Sequence, residues 1–293
     1  MRPAPDGVRM CLRALLAGFV LVVLLPAALA FASVPTDSPH ATITTRAAGW
    51  ADWPEGGVDA LVVAVHNPDY EQIDWEPHLD EPARYDLAPT YDAAQHCDRV
   101  PPQDDDAAFA AARALIQERW SAARAAADAE TLVRGLGQAL HAVQDCFSHS
   151  DFVDLDAEAQ AAFVAFLLEN GTAPAVRLVA TAADIDDPGM PDDPYPHDRY
   201  AKDAADFNDE AAATIDGRTK FAHAQDAATQ ASARVLNGTL AGMSPEMRAA
   251  IDALEPAAPE ASPIPAVPIL AVLGALGSVL YVGRRGKGRA PAG

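Results

Sequence analysis

Leu136-Gly-Gln-Ala-Leu-His141-Ala-Val-Gln-Asp145-Cys-Phe-Ser-His149-Ser-Asp-Phe152 is the stretch on which the fold turns. Leu136, Leu140, Val143 and Phe147 recur at three- and four-residue steps, the spacing of one helix face. His141, Asp145 and His149 stand four apart. A step of four on a helix turns only about 40°, so their side chains form a near-straight row beside the apolar face. Imidazole nitrogens and a carboxylate oxygen are ligands that zinc accepts, and several of them around an open position make a catalytic site. The same row would also suit a solvated face with an incidental Asp–His pair. Favouring metal are the strongly apolar opposite face and Gly137, where a partner can approach closely.

Outward from this segment the chain reads as further helices. Asp104 to Ala127 is Ala-rich with acids at its start, which suit the positive end of a helix dipole. Its Phe109, Ala112, Leu115, Ile116 and Trp120 make one apolar face. Asp156 to Asn170 carries Phe163, Phe166 and Leu167 and is stopped at Asn170-Gly171. Residues 201–216 and 219–240 read as two more helices, and Ser244-Pro245 opens a last short one as N-cap and first helical residue. Val58-Asp-Ala-Leu-Val-Val-Ala-Val65 would suit a strand, but no partner strand is visible, so it reads as helical. No two strand-like runs flank a hairpin turn, and the expected fold class is an all-α bundle. Residues 67–104 and 182–200 read as long Asp- and Pro-rich loops, a length that is usually functional or disordered.

The 293 residues include 42 acidic and 21 basic side chains, a net charge of −21. Seven of the basic residues and one acid lie at the two ends, so the chain between carries 14 basic and 41 acidic residues, a net −27. That charge excludes a basic nucleic-acid-binding surface and repels anionic partners unless bound cations intervene. Residues 1–30 read as a signal peptide: Arg2, Arg9 and Arg13, an apolar run to Leu25, then Ala28-Leu29-Ala30. Residues 31–255 are the expected helical domain and 256–268 a stiff Pro/Ala linker. Residues 269–283 form an expected membrane or sorting helix and 284–293 a basic cytoplasmic tail, similar to prokaryotic C-terminal sorting signals of the PEP-CTERM kind. The domain is therefore expected outside the cytoplasm, extracellular or in the cell envelope, tethered to the membrane by that helix. In an oxidising compartment its cysteines, Cys97 and Cys146, are expected to form a disulfide.

The block Leu-Gly-x-Ala-Leu-His-x-x-Gln-Asp-x-x-Ser-His-Ser at 136–150 resembles the signature of the zinc-dependent phospholipase C superfamily, in its Het-C-like branch. His197-Asp-Arg-Tyr-Ala-Lys202-Asp203 is similar to a second block, and Asn67-Pro-Asp-Tyr70 with His78-Leu-Asp80 resembles the early loop. The resemblance implies an all-α fold whose cluster of up to three zinc ions hydrolyses phosphodiester bonds, in phospholipids or, in a sister branch, in single-stranded nucleic acid. It implies His141, Asp145 and His149 as metal ligands, with His78, Asp80 and His197 joining them. Asp80 is then a carboxylate able to take the proton of an attacking water. From the residues alone, His66 fits loop capping and metal ligation equally, and His223 would face the His141 cavity from a neighbouring helix. His96, beside Cys97, reads as structural and His40 as a surface residue. The chain also departs from the family pattern: no Trp stands near Ala30, Asp145 and His149 are four apart where the family has six, and the late His-x-x-x-Glu is missing. A non-catalytic surface protein that keeps the bundle and one structural metal is the alternative.

Overall fold

The structure is a computed structural model that describes residues 38–74, 86–87, 91–180 and 195–254. The expected signal peptide, linker, C-terminal helix and basic tail lie outside the described residues, as do His78 and Asp80. Among the described residues no helix is long and apolar enough to cross a membrane.

The described chain is mostly helical, and each long helix begins where the sequence supplies a cap. Ser38 caps α1 (Pro39–Trp50), Asp104 caps α3 (Asp105–Arg124), Asp128 caps α4 (Ala129–Ser148) and Asp156 caps α5 (Ala157–Leu168). In each case the side-chain oxygen accepts a backbone N–H that the first turn leaves unpaired. The valine-rich run is helical, as α2 (Val58–Gln72). It continues five residues past Asn67, where a loop was expected, and carries Pro68 inside it. Pro68 has no N–H to offer the Ala64 carbonyl one turn earlier. That weak point faces α4, where Gly137 lies so close to Ala64 that a Cβ there would stand 2.5 Å from the Ala64 carbonyl carbon. Glycine at 137 is what allows the two helices to touch backbone to backbone.

α4 is the central element: it packs against α2 and α3 along its length, with α8 (Lys220–Leu240) and α1 closing its other sides. Its C-terminal half is buried on every side, from Gly137 through Phe147 apart from Gln138. Beneath it Phe109, Phe147, Phe152, Phe163 and Phe166 stack with ring centroids 4.7–5.2 Å apart. Burying one such side chain stabilises by roughly 1.5–3 kcal/mol, which anchors the end of α4.

Two expectations are corrected. Residues 201–216 are not one helix. They hold the single turn α7 (Asp209–Ala212) and then β3 (Thr214–Ile215), which pairs antiparallel with β4 (Arg218–Thr219). The reason is the dipeptide between the strands: Asp216 and Gly217 have φ of 52° and 80°, the left-handed pair of a tight hairpin turn. Ala-rich composition suggested helix, but Asp-Gly ends it. Hairpin-like pairing, not expected at all, also joins β1 (Ile73–Asp74) to β2 (Asp86–Leu87). The single turn α6 (His197–Tyr200) and the last helix α9 (Pro245–Asp252, capped by Ser244) complete the described elements.

Candidate metal centre

α4 presents His141 and Asp145 one turn apart, with His141 Nε2 3.0 Å from Asp145 Oδ2. The third residue of the expected row leaves it. The helix ends at Ser148 and His149 is its C-cap, with ψ of 16° and its N–H on the Asp145 carbonyl. Its ring therefore turns into a different cluster, and the row serves two neighbouring groups.

The first group gathers His40 from α1, Asp69 from α2 and His96 from the turn before Cys97 around His141 and Asp145. His40 Nε2 is 3.2 Å from Asp145 Oδ1, and His96 Nδ1 is 3.3 Å from Asp145 Oδ2 and 3.1 Å from His141 Nε2. Asp69 closes the group 3.7–3.9 Å from His40, His96 and His141. The second group holds Asp98, His149, His197 and Asp203. His149 lies 2.7 Å from Asp98 through Nδ1 and 2.9 Å from Asp203 through Nε2, and His197 Nε2 is 3.3 Å from His149 Nε2 and 3.4 Å from Asp203.

Covalent and main-chain links hold the two groups side by side. Cys97 and Cys146 stand at disulfide distance, 2.00 Å between sulfurs, joining the turn to α4. On either side of Cys97, which is fully buried with a left-handed φ of 54°, His96 enters the first group and Asp98 the second. His197 arrives through a short ladder: Val179 N–H donates to the His149 carbonyl, and His197 N–H to the Ala180 carbonyl. Asp203 is fixed by the Ser148 hydroxyl at 2.6 Å. Beside it the buried Lys202 ammonium donates to the carbonyls of Ser148, Ser150 and Tyr200, tying this strap to the end of α4.

The Nδ1 atoms of three imidazoles meet main-chain or amide oxygens, and that of His149 also lies 2.7 Å from Asp98. His141 Nδ1–H donates to the Val65 carbonyl and His149 Nδ1–H to the His96 carbonyl, each at 2.8 Å, while His40 Nδ1–H donates to Gln144 Oε1 at 2.8 Å. Their Nε2 atoms are left pointing at carboxylates, the arrangement in which ligand histidines are held by a shell of acceptors. Lone pairs of nitrogen and oxygen thus converge within 4.8 Å of one another in three sets, the first two sharing His141: His40, His141 and Asp145; Asp69, His96 and His141; Asp98, His149 and His197. Such a set is repulsive unless protons or a cation sit in it.

In the metal-free chain protons take that place. At His40, His96, His149, Asp145 and Asp203 burial opposes charge, yet the opposite-charge neighbours win. His149 is held well above the ordinary imidazole value by Asp98 and Asp203, His96 is raised by Asp145, and His40 is raised to about 9 by Asp145 and Asp69. Asp145 and Asp203 are held below the usual carboxylate range by the rings around them. The buried imidazole–carboxylate groups could therefore hold a metal ion, and nitrogen with carboxylate oxygen is a donor set suited to zinc. The side chains of His141, His96 and Asp145 are 0, 4 and 6% exposed, against 18, 23, 30 and 34% for His40, Asp69, His197 and Asp203. The latter four are the partly exposed members of the centre.

Of the residues singled out from the sequence, His141, Asp145, His149 and His197 come together. Among the described residues His66 joins neither group: its Nδ1–H donates to the Val62 carbonyl and its Nε2 meets the Ser38 hydroxyl at 2.6 Å, securing the cap of α1 that presents His40. His223 Nε2 binds the Ile215 carbonyl and lines a separate groove with Phe152, Val164 and Arg218, so it does not face the His141 cavity. His40, expected at the surface, is half-buried beside Asp145, and His96, expected to be structural, also lies against Asp145 in the first group. Asp69, Asp98 and Asp203 were also missed. Asp69 and Asp203 lie in the blocks 67–70 and 197–203, which carried that signal without a role for either residue, and Asp98 had only its place beside Cys97. No protein-family model, curated protein or solved structure matches the chain.

Proposed function

We propose that the domain is a zinc-dependent hydrolase of phosphodiester bonds, phospholipase C-like in substrate class, acting outside the cytoplasm from a membrane tether. The observation that carries this reading is the convergence of imidazole nitrogens and carboxylates from α1, α2, α4, α6 and two loops in adjoining, largely buried groups. The likeness of residues 136–150 to the zinc-dependent phospholipase C signature supports the reaction class.

Zinc, when bound, supplies Lewis acidity toward a phosphoryl oxygen and toward a water. His40, His96, His141 and Asp145 would hold it in the first group, and Asp98, His149, His197 and Asp203 in the second. Asp69, the partly exposed carboxylate of the first group, would accept the water's proton, a role that Asp80 from the early loop would share. The cations would also offset the −27 charge that otherwise repels an anionic substrate.

Metal analysis and assay of the purified protein test the reading. At least one zinc per chain is expected, most of it lost in His141→Ala, with cleavage of a phosphocholine ester stopped by chelators and restored by zinc. Asp145→Asn should cost far more rate than stability. A zinc-replete protein that cleaves single-stranded nucleic acid alone would move the substrate class. One that cleaves neither, and whose Asp145→Asn variant mainly melts earlier, is a non-catalytic metal protein; the complete burial of His141 is the observation that favours this second reading.

A further inference from the structure

Gln144, which precedes Asp145 on α4, has no place in the reading above, yet it is buried to within 2% of its surface. Its amide lies between three helices. Nε2 donates to the hydroxyls of Thr44 on α1, at 3.1 Å, and Ser232 on α8, at 3.4 Å, both fully buried. Oε1 lies 2.8 Å from Nδ1 of His40. The NH2 end of the amide lies on the two hydroxyls, and its oxygen faces His40. An oxygen there can only accept. The proton of a neutral His40 ring is therefore placed on Nδ1, and its lone pair on Nε2, 3.2 Å from Asp145 Oδ1.

We propose that Gln144 is a positioning residue that fixes the tautomer of His40, so that the imidazole reaching the centre from α1 presents a lone pair to a cation rather than an N–H. The inference rests on the metal reading for its consequence but not for its geometry. His141 and His149 take the same orientation from main-chain carbonyls, which no substitution removes. His40 takes it from a side chain, which makes the first group dependent on one replaceable amide and, through Thr44 and Ser232, on how α1 and α8 seat against α4.

The test compares Gln144→Leu, which fills much of the same volume and removes both ends of the amide, with Gln144→Glu, which keeps an acceptor toward His40. Loss of a residue orienting a metal ligand typically costs about 10–100-fold in metal affinity. Gln144→Leu should lose zinc affinity by that factor at the first group, leave the second unchanged and keep its helical signal, while Gln144→Glu retains wild-type affinity or better. The ring-nitrogen shifts of His40, assigned against His40→Ala in 15N-histidine-labelled, chelated protein at a pH high enough for a neutral ring, give a second readout. Wild type and Gln144→Glu should show Nδ1–H, and Gln144→Leu a mixture. Unchanged zinc affinity in Gln144→Leu, or an Nε2–H ring in the wild type, would overturn the proposal. If the wild-type protein takes up no zinc, the metal reading falls by itself, and the ring shifts still decide the tautomer.

Discussion

At the scale of the residue, the centre is a competition between protons and a cation for the same lone pairs. The His40 ring in the metal-free chain is protonated up to about pH 9, against 6.5 for an ordinary imidazole; burial disfavours that charge, and Asp145 outweighs it. A pKa raised by folding contributes stability that is complete below the unfolded value and lost as the pH climbs through the folded one. His96 and His149 are shifted in the same direction. The chelated protein should therefore lose Tm between pH 6.5 and about 9, and zinc-loaded protein should lose less, since a cation has replaced those protons. Lys202 titrates in the same region with the opposite sign, lowered to about 8 by burial, but it acts in both samples, so the difference between the two melting profiles isolates the imidazoles. Coincident profiles would contradict the competition. Why His141 and Asp145 were legible in the sequence and His40 was not follows from the same contacts. A period of four reports which residues share a side of their own helix, whereas His40 enters from a helix 104 residues away from the Gln144 that receives it.

At the scale of the element, α2 and α4 meet at Gly137 and Ala64, and His141 fastens them one turn later through the Val65 carbonyl. Gly137→Ala would place a Cβ 2.5 Å from Ala64 main-chain and side-chain carbons, so backbone must move. Overpacking of this kind costs about 1–3 kcal/mol. Urea unfolding of Gly137→Ala should show a midpoint lowered by that energy divided by an unchanged slope, and an unaltered midpoint would mean that the helices slide apart freely. The turn that carries His96 and Asp98 has no regular structure of its own, and its closure onto α4 spans 49 residues. A disulfide closing that loop stabilises by roughly 4 kcal/mol in the chain-entropy model. Helix spans were readable because caps and apolar periods are local signals, as Asp104, Asp128 and Asp156 show. That His149 leaves the row of His141 and Asp145 at the end of α4 was not. Nothing in Phe147-Ser148-His149 announces a stop; the helix halts where Val179 and Lys202 take up the His149 and Ser148 carbonyls, bonds made from distant parts of the chain.

At the scale of the whole molecule, the second group depends on segments far apart in the chain, two of which are joined at one buried ammonium. The chain has lysines only at 202, 220 and 287. Lys202 alone among the described lysines is fully enclosed, its hydrogens on three main-chain carbonyls. An amine-reactive reagent can therefore reach it only when the strap lifts from α4, and the rate of its modification measures how often that happens. Lys220, paired with Asp154 and Glu210 nearer the surface, supplies the comparison within the same sample. Peptide mass analysis should find Lys202 acylated more slowly than Lys220, slower again with zinc and faster after chelation; equal rates at the two positions would show that the strap is already open. A lysine placed to hold a helix end thereby doubles as a clock on the protein's breathing, readable without knowing what the protein cleaves.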